Sequence, residues 1–184
     1  AALGIPEKVV NSNVKWRSPS SDFCKKIAEF SKKFSTKNPY KFLKILCEGD
    51  GSKRLPIKLP KDGEPVFFPK TDTVISVIGL SCLGKPIKET LFRYELLPNL
   101  TSLDNYFIKS LQSADIVTTD FLYRLCLSEK GLRKNITSQK FCIIFNQADI
   151  LDEKALAEVI TLRNQLQTKG ICSHIISVKN NYII

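Results

Sequence analysis

The chain alternates short unbroken apolar runs with longer amphipathic stretches. The runs at 42–47 (FLKILC), 73–80 (TVISVIGL), 141–145 (FCIIF) and 174–178 (HIISV) are too short for ordinary helices and are bounded by glycine, proline or polar residues. They are predicted strands, and runs apolar on both faces belong to parallel sheets covered by helices. Over 22–35, Phe23, Ile27, Phe30 and Phe34 recur at helical spacing behind the capping candidates Ser20, Ser21 and Asp22, and Asn38-Pro39 ends the pattern. Phe30 and Phe34 stand at i and i+4 and are expected to pack inward. Further helices are expected over 101–113, over 119–128 from Thr118 or Thr119, and over 152–168, capped by Asp152 and ended by Gly170. Pro56, Pro60, Pro65 and Pro69 make the segment between the first two strands a loop. The expected fold class is α/β, a mostly parallel sheet with helices on both faces.

At 184 residues the chain fits one domain that can bury a core without disulfides or metal. It is expected to comprise a basic helical segment over 1–41 and a core over 42–180. No apolar run approaches the roughly 20 residues needed to span a bilayer. The first residues, AALGIPEKVV, lack the order of a signal peptide, so a cytoplasmic location without membrane is expected. The six cysteines are far apart with no C-x-x-C; Cys47, Cys142 and Cys172 lie in or beside apolar runs and are expected to be buried, reduced core thiols. His174, the one histidine, lies in a predicted strand and reads as structural rather than catalytic.

The net charge of +10 is uneven: residues 1–61 carry 14 Lys/Arg against 5 Asp/Glu. Such a field attracts phosphates, whether of a nucleotide, a nucleic acid or an anionic cofactor, although a lysine-rich solvated helix face gives the same composition.

Ligands of parallel sheets gather where strands end at the carboxyl edge, so the residues after each run carry the functional signal. After the first come Glu48-Gly49-Asp50-Gly51, acids that would hold a metal and glycines that would admit a phosphate; the same residues are ordinary turn chemistry. After the second, Gly79-x-x-x-x-Gly84-Lys85 follows the phosphate-loop pattern until Pro86 replaces the Mg²⁺-binding Ser/Thr, and the bulky Leu80 and Leu83 favour a structural strand-to-helix turn. After the third, Asn146 and Asp149 have the spacing of the Asn-Lys-x-Asp element with which GTPases recognise guanine, with Gln147 in the lysine position. The alternative is that Asn146 closes the strand end and Asp149 begins the next helix.

The blocks at 45–87 (ILCEGDGSKRLPIKLPKDGEPVFFPKTDTVISVIGLSCLGKPI), 118–125 (TTDFLYRL), 131–134 (GLRK) and 143–150 (IIFNQADI) together resemble the selenium-dependent hydroxylase accessory protein family over about 42–180. The resemblance implies a phosphate-loop NTPase-like fold and a role in maturing selenium-dependent molybdenum hydroxylases, with such a hydroxylase or its cofactor-assembly enzymes as partner. It implies Mg²⁺ and a nucleoside triphosphate as cofactors, Glu48 and Asp50 as metal-binding carboxylates, and Lys53, Arg54, Asn146 and Asp149 as nucleotide-binding residues. Glu64-Pro65 matches the family's Glu-Pro element. The family's first strand and glycine-rich phosphate loop have no counterpart in residues 1–41, where Gly4 is the sole glycine, so hydrolysis by this chain alone is not expected. A noncatalytic scaffold and a basic nucleic-acid-binding module are the alternatives.

Overall fold

The computed structural model describes residues 5–10, 13–17, 20, 22–23, 25–27, 29–30, 33, 46–49, 51–68, 71–100 and 115–184. The chain divides into two compact units, one of residues 1–48 with 67–71 and the other of residues 49–66 with 72–184.

In the first unit, β1 (Ile5–Val10) pairs antiparallel with β2 (Asn13–Arg17), a hairpin in a segment expected to be helical. Asp22, Phe23, Lys25–Ile27, Glu29, Phe30 and Lys33 are helical, and the Ser20 hydroxyl oxygen accepts the Phe23 amide at 3.2 Å, as a cap should. Phe30 does not pack inward: it is 61% exposed. Phe34 and Cys24 lie outside the described residues. Of the strand expected at 42–47, residues 42–45 lie outside the described residues. Residues 46–49 have no regular structure, Leu46 is 89% exposed and Cys47 is exposed, so these two residues are not part of a buried strand. An apolar run specifies burial only where a neighbouring strand or helix covers it, and periodicity alone does not supply that neighbour.

The second unit is α/β. Two short strands, β3 (Ile57–Lys58) and β5 (Leu91–Phe92), pair in parallel. The main sheet has the order β4 (Thr73–Gly79), β6 (Lys140–Asn146), β7 (Cys172–Ser177), β8 (Tyr182–Ile183), parallel except for the antiparallel β8. The helices are α1 (Ile87–Thr90), α2 (Thr119–Leu127) and α3 (Glu153–Thr168). Thr118 caps α2 by accepting the Phe121 amide, and Asp152 caps α3 by accepting the Ala155 amide at 2.7 Å. At the other end of α3, Gly170 takes a left-handed φ of +75°, while the amides of Gly170 and Ile171 return to the carbonyls of Gln167 and Leu166. This is the six-to-one closure that glycine permits, with Leu166 and Ile171 both in the core. The helix expected over 101–113 lies outside the described residues.

Burial along the strands has a period of two. Ile78, Ile143, Phe145 and Ile175 are fully buried and join Val159, Leu162 and Leu166 of α3 and Phe121, Leu122 and Leu125 of α2 in one core. Each such side chain contributes roughly 1.5–3 kcal/mol relative to exposure. Gln167 on α3 donates to the Ser173 carbonyl, and the Ser173 hydroxyl donates to the Arg163 carbonyl, which fixes α3 over this face of β7. Positions of the opposite parity face the other way: Ile75 is 48% and Val77 58% exposed, Cys172 and His174 are exposed and Cys142 is half-buried. The expectation that Cys142 and Cys172 are core thiols therefore fails, because they project from the face away from α3. Cys82 and Cys126 are the buried thiols among the described cysteines. Among the described residues, no helix is long and apolar enough to cross a membrane.

Candidate functional site

Strands β4 and β6 run parallel in register and end together, with Gly79 opposite Asn146. The Gly79 amide donates to the Pro56 carbonyl at 2.9 Å, which draws the segment before β3 to the same edge. At Gly79 an added Cβ would lie 2.8 Å from the Gln147 Oε1 and 3.0 Å from the Pro56 Cβ, so the approach depends on glycine.

Past β6 the chain turns sharply. The Gln147 amide donates to the Asn146 Oδ1 at 2.8 Å, and Gln147 itself sits in the left-handed region at φ +71°. Its side-chain oxygen accepts the Ser81 amide at 3.4 Å, tying the end of β6 to the turn after β4. In the guanine-recognition pattern this position carries a lysine packed over the base; here its side chain links strand ends instead. A 3₁₀ turn, Ala148–Ile150, then presents Asp149, whose Oδ1 accepts the Ser177 hydroxyl at 2.7 Å. The Ser177 oxygen in turn accepts the Asn180 amide at 3.0 Å. The carboxylate is half-buried and held in one orientation by the last residue of β7. The edge thus brings Gly79, Asn146, Asp149 and Ser177 together from three strand ends.

The segment from Gly79 to Lys85 is closed on itself. After the 3₁₀ turn Leu80–Cys82, the amides of Leu83, Gly84 and Lys85 donate to the carbonyls of Leu80, Val117 and Cys82, so they do not point at a ligand. Leu80 and Cys82 are core residues, and burial pushes the Cys82 thiol up to about 12 against smaller opposing effects of its backbone hydrogen bond and Lys85. This is a structural strand-to-helix turn, and its donors do not fit a triphosphate.

A second polar cluster surrounds Glu64. Arg93 engages both carboxylate oxygens, through Nη1 to Oε2 and through Nη2 to Oε1 at 2.9 Å, and the Lys58 Nζ lies 3.2 Å from Oε2. Arg93, at φ +67°, also donates to the Leu59 carbonyl. Lys53, Lys58 and Arg93 place their cationic groups 5.0, 5.6 and 4.9 Å from the centroid of the Phe92 ring. The Asn135 amide donates to the carbonyls of Glu64 and Pro65. With both Glu64 oxygens committed to cations, this carboxylate does not fit a Mg²⁺ ligand.

The expected site residues therefore fall in different places. Asn146 and Asp149 share the sheet edge. Lys53 rests against Phe92, and Lys53 and Arg54 are exposed with left-handed φ values of 52° and 66°. Glu48 is exposed in an irregular stretch, and Asp50 lies outside the described residues. The crevice expected between Asp50 and Asp149 thus rests on a residue that is not described. Sequence reasoning missed Ser177, whose only signal is a hydroxyl ending an otherwise apolar run, and Arg93, which no pattern singled out.

Residues 7–95 match the family model described as YqeC protein. The YqeC match starts ahead of the resemblance drawn from the motifs and contains Lys53, Lys58, Glu64, Arg93 and the Gly79–Lys85 turn. It ends before Asn146 and Asp149. No curated protein and no solved structure matches the chain.

Proposed function

We propose that this chain takes part in the maturation of selenium-dependent molybdenum hydroxylases, holding a guanine or pterin ring at the carboxyl edge of its sheet through Asp149. The observation that carries the ring assignment is the Asp149 carboxylate, half-buried at the strand ends and oriented by Ser177. The YqeC match over 7–95 supports the biological setting. A 2-amino-4-oxo ring offers a ring N–H beside an exocyclic amine, two parallel donors that a carboxylate accepts together; adenine lacks that pair. Guanine nucleotides and the pterin of a molybdenum cofactor share this edge.

In this reading Asp149 accepts the two N–H groups, Asn146 borders the ring, and Ser177 is a positioning residue that keeps the carboxylate facing outward. Lys53 and Arg54 would meet the phosphates of the ligand. No hydrolytic step is assigned. The partner is a molybdenum hydroxylase or one of the enzymes that assemble its cofactor.

Titration calorimetry of the full chain with GTP, ATP and a reduced pterin precursor tests the reading. Heat with GTP or the pterin but not with ATP is expected, and the stronger of the two identifies the ring. Asp149→Ala should abolish that selectivity. Ser177→Ala should weaken binding while preserving the order of preference, as a positioning role requires. Equal heats for GTP and ATP, or none with any of the three, would overturn it.

A further inference from the structure

On the face of the sheet away from α3, Cys142 of β6 stands opposite Cys172 of β7, and His174 follows two residues later on the same side. The Cys172 Sγ lies 3.5 Å from the His174 Nε2, and the three donor atoms all lie within 4.8 Å of one another. Strand pairing produces this convergence directly. Parallel register sets 142 beside 172, and the two-residue repeat of a strand sends 172 and 174 out together. Among the described residues it is the group of three or more potential metal ligands.

We propose that Cys142, Cys172 and His174 form a binding site for Zn²⁺ or a chemically similar soft divalent cation, with its fourth coordination position open. Zn–S bonds of about 2.3 Å and Zn–N bonds of about 2.0 Å at a tetrahedral angle place a sulfur and a nitrogen ligand about 3.5 Å apart. The Cys172–His174 separation already has this length. Two thiols lose their protons to solvent as the cation binds, while the imidazole binds as a neutral ligand. The resulting Zn²⁺ with two thiolates carries no net charge. Neutrality suits the surroundings, because Ile75 and Val77 lie in the same rows of side chains, opposite Cys142 and Ile144. Without a cation, burial first, then the hydrogen bond with Cys172, pushes the Cys142 thiol up to about 12.

Both Cys172 and His174 are exposed, so a cation has a direct path in and a water or external donor can complete the coordination. Three protein ligands with a vacant fourth position is the arrangement of reactive rather than purely structural zinc. The site is independent of Asp149, which belongs to the edge of the sheet.

The test is titration of the reduced chain with Zn²⁺ against a chromogenic chelator, and with Co²⁺ followed by its visible and thiolate charge-transfer absorption. One equivalent of Zn²⁺ should bind, and Co²⁺ should give the intense visible bands of a tetrahedral site with sulfur ligands. Cys172→Ser and His174→Ala should each weaken Zn²⁺ binding by at least about tenfold, since even outer-shell partners of metal ligands are worth that much. Both positions are exposed, so the variants are expected to fold, which circular dichroism verifies. Cys47→Ser, which removes an exposed thiol elsewhere, should leave binding unchanged. No stoichiometric binding, octahedral Co²⁺ spectra, or affinity lost equally in Cys47→Ser would overturn the proposal.

Discussion

Arg93 grips Glu64 through both carboxylate oxygens, across 29 residues of sequence, and both side chains are largely withdrawn from water. The pair joins the loop after β3 to the residue following β5, and Lys58 completes the neutralisation of the carboxylate on one side while Asn135 donates to the backbone of Glu64 and Pro65 on the other. Three cationic groups also crowd the Phe92 ring. Removing the carboxylate takes away the negative charge that Lys58 and Arg93 both face in this cluster. Glu64→Gln is therefore expected to cost about 3 kcal/mol, at the low end for breaking a buried pair because neither partner is fully enclosed. Arg93→Lys should recover little of the wild-type stability, since an ammonium cannot span both oxygens. Urea denaturation of the two variants measures this, and a change below about 0.5 kcal/mol for Glu64→Gln would place the pair among surface ion pairs.

The buried thiols and the exposed ones should separate cleanly by reactivity. Cys82 and Cys126 are fully buried in the core, and burial raises both thiols, Cys82 to about 12 and Cys126 further. Only the thiolate attacks an alkylating reagent, so both are protected by inaccessibility and by protonation. With iodoacetamide at neutral pH, peptide mass spectrometry should find Cys47 and Cys172 modified first, and Cys82 and Cys126 modified only after denaturant is added. The same shift has a consequence for stability. A thiol with a folded-state value raised from 9.0 to about 12 favours the folded state fully below pH 9, and that contribution is lost as pH rises through 12. Native protection of Cys82 and Cys126 should thus fail on the alkaline side, not the acid side.

Much of the second unit could be foreseen, and the reasons are specific. Strands β4, β6 and β7 coincide with the short apolar runs read at 73–80, 141–145 and 174–178. Helix α3 declares itself at both ends, by Asp152 and by Gly170, each of which performs the local chemistry its residue type suggests. At the site, Asn146 and Asp149 were legible because they follow a buried strand. Ser177 was not, because its role depends on β7 lying next to β6, a tertiary fact with no local trace. The triad of Cys142, Cys172 and His174 was hidden for the same reason: 30 residues separate the two cysteines, and only the register of β6 against β7 joins them. In the run at 42–47 an apolar composition does not bring burial at Leu46 and Cys47, which are exposed.

Two glycines of the Gly79–Lys85 turn distinguish packing from backbone conformation as the reason for its shape. At Gly79 the obstacle to a side chain is contact: an added Cβ would meet the Gln147 Oε1 at 2.8 Å, and the Pro56 Cβ and Cα at 3.0 and 3.3 Å. Gln147 can swing aside, but in doing so it gives up the Ser81 amide, and Pro56 is held by the hydrogen bond from the Gly79 amide itself. Gly84 is the converse case, with nothing within 4 Å of an added Cβ but a left-handed φ of +71°. Gly84→Ala is expected to cost about 1 kcal/mol, the ordinary penalty of an L side chain in that region. Gly79→Ala should cost more, about 2 kcal/mol, as an overpacked position does. It should also disturb the Asn146 and Asp149 edge, since the displaced Gln147 is the next residue after Asn146. Denaturation midpoints check the first difference, and calorimetry with GTP and the pterin precursor checks the second: Gly84→Ala should bind as the parent chain does, whereas Gly79→Ala should bind more weakly. Equal penalties and equal binding for the two variants would mean that the approach of Pro56 and Gln147 to Gly79 does not control the geometry of the strand ends.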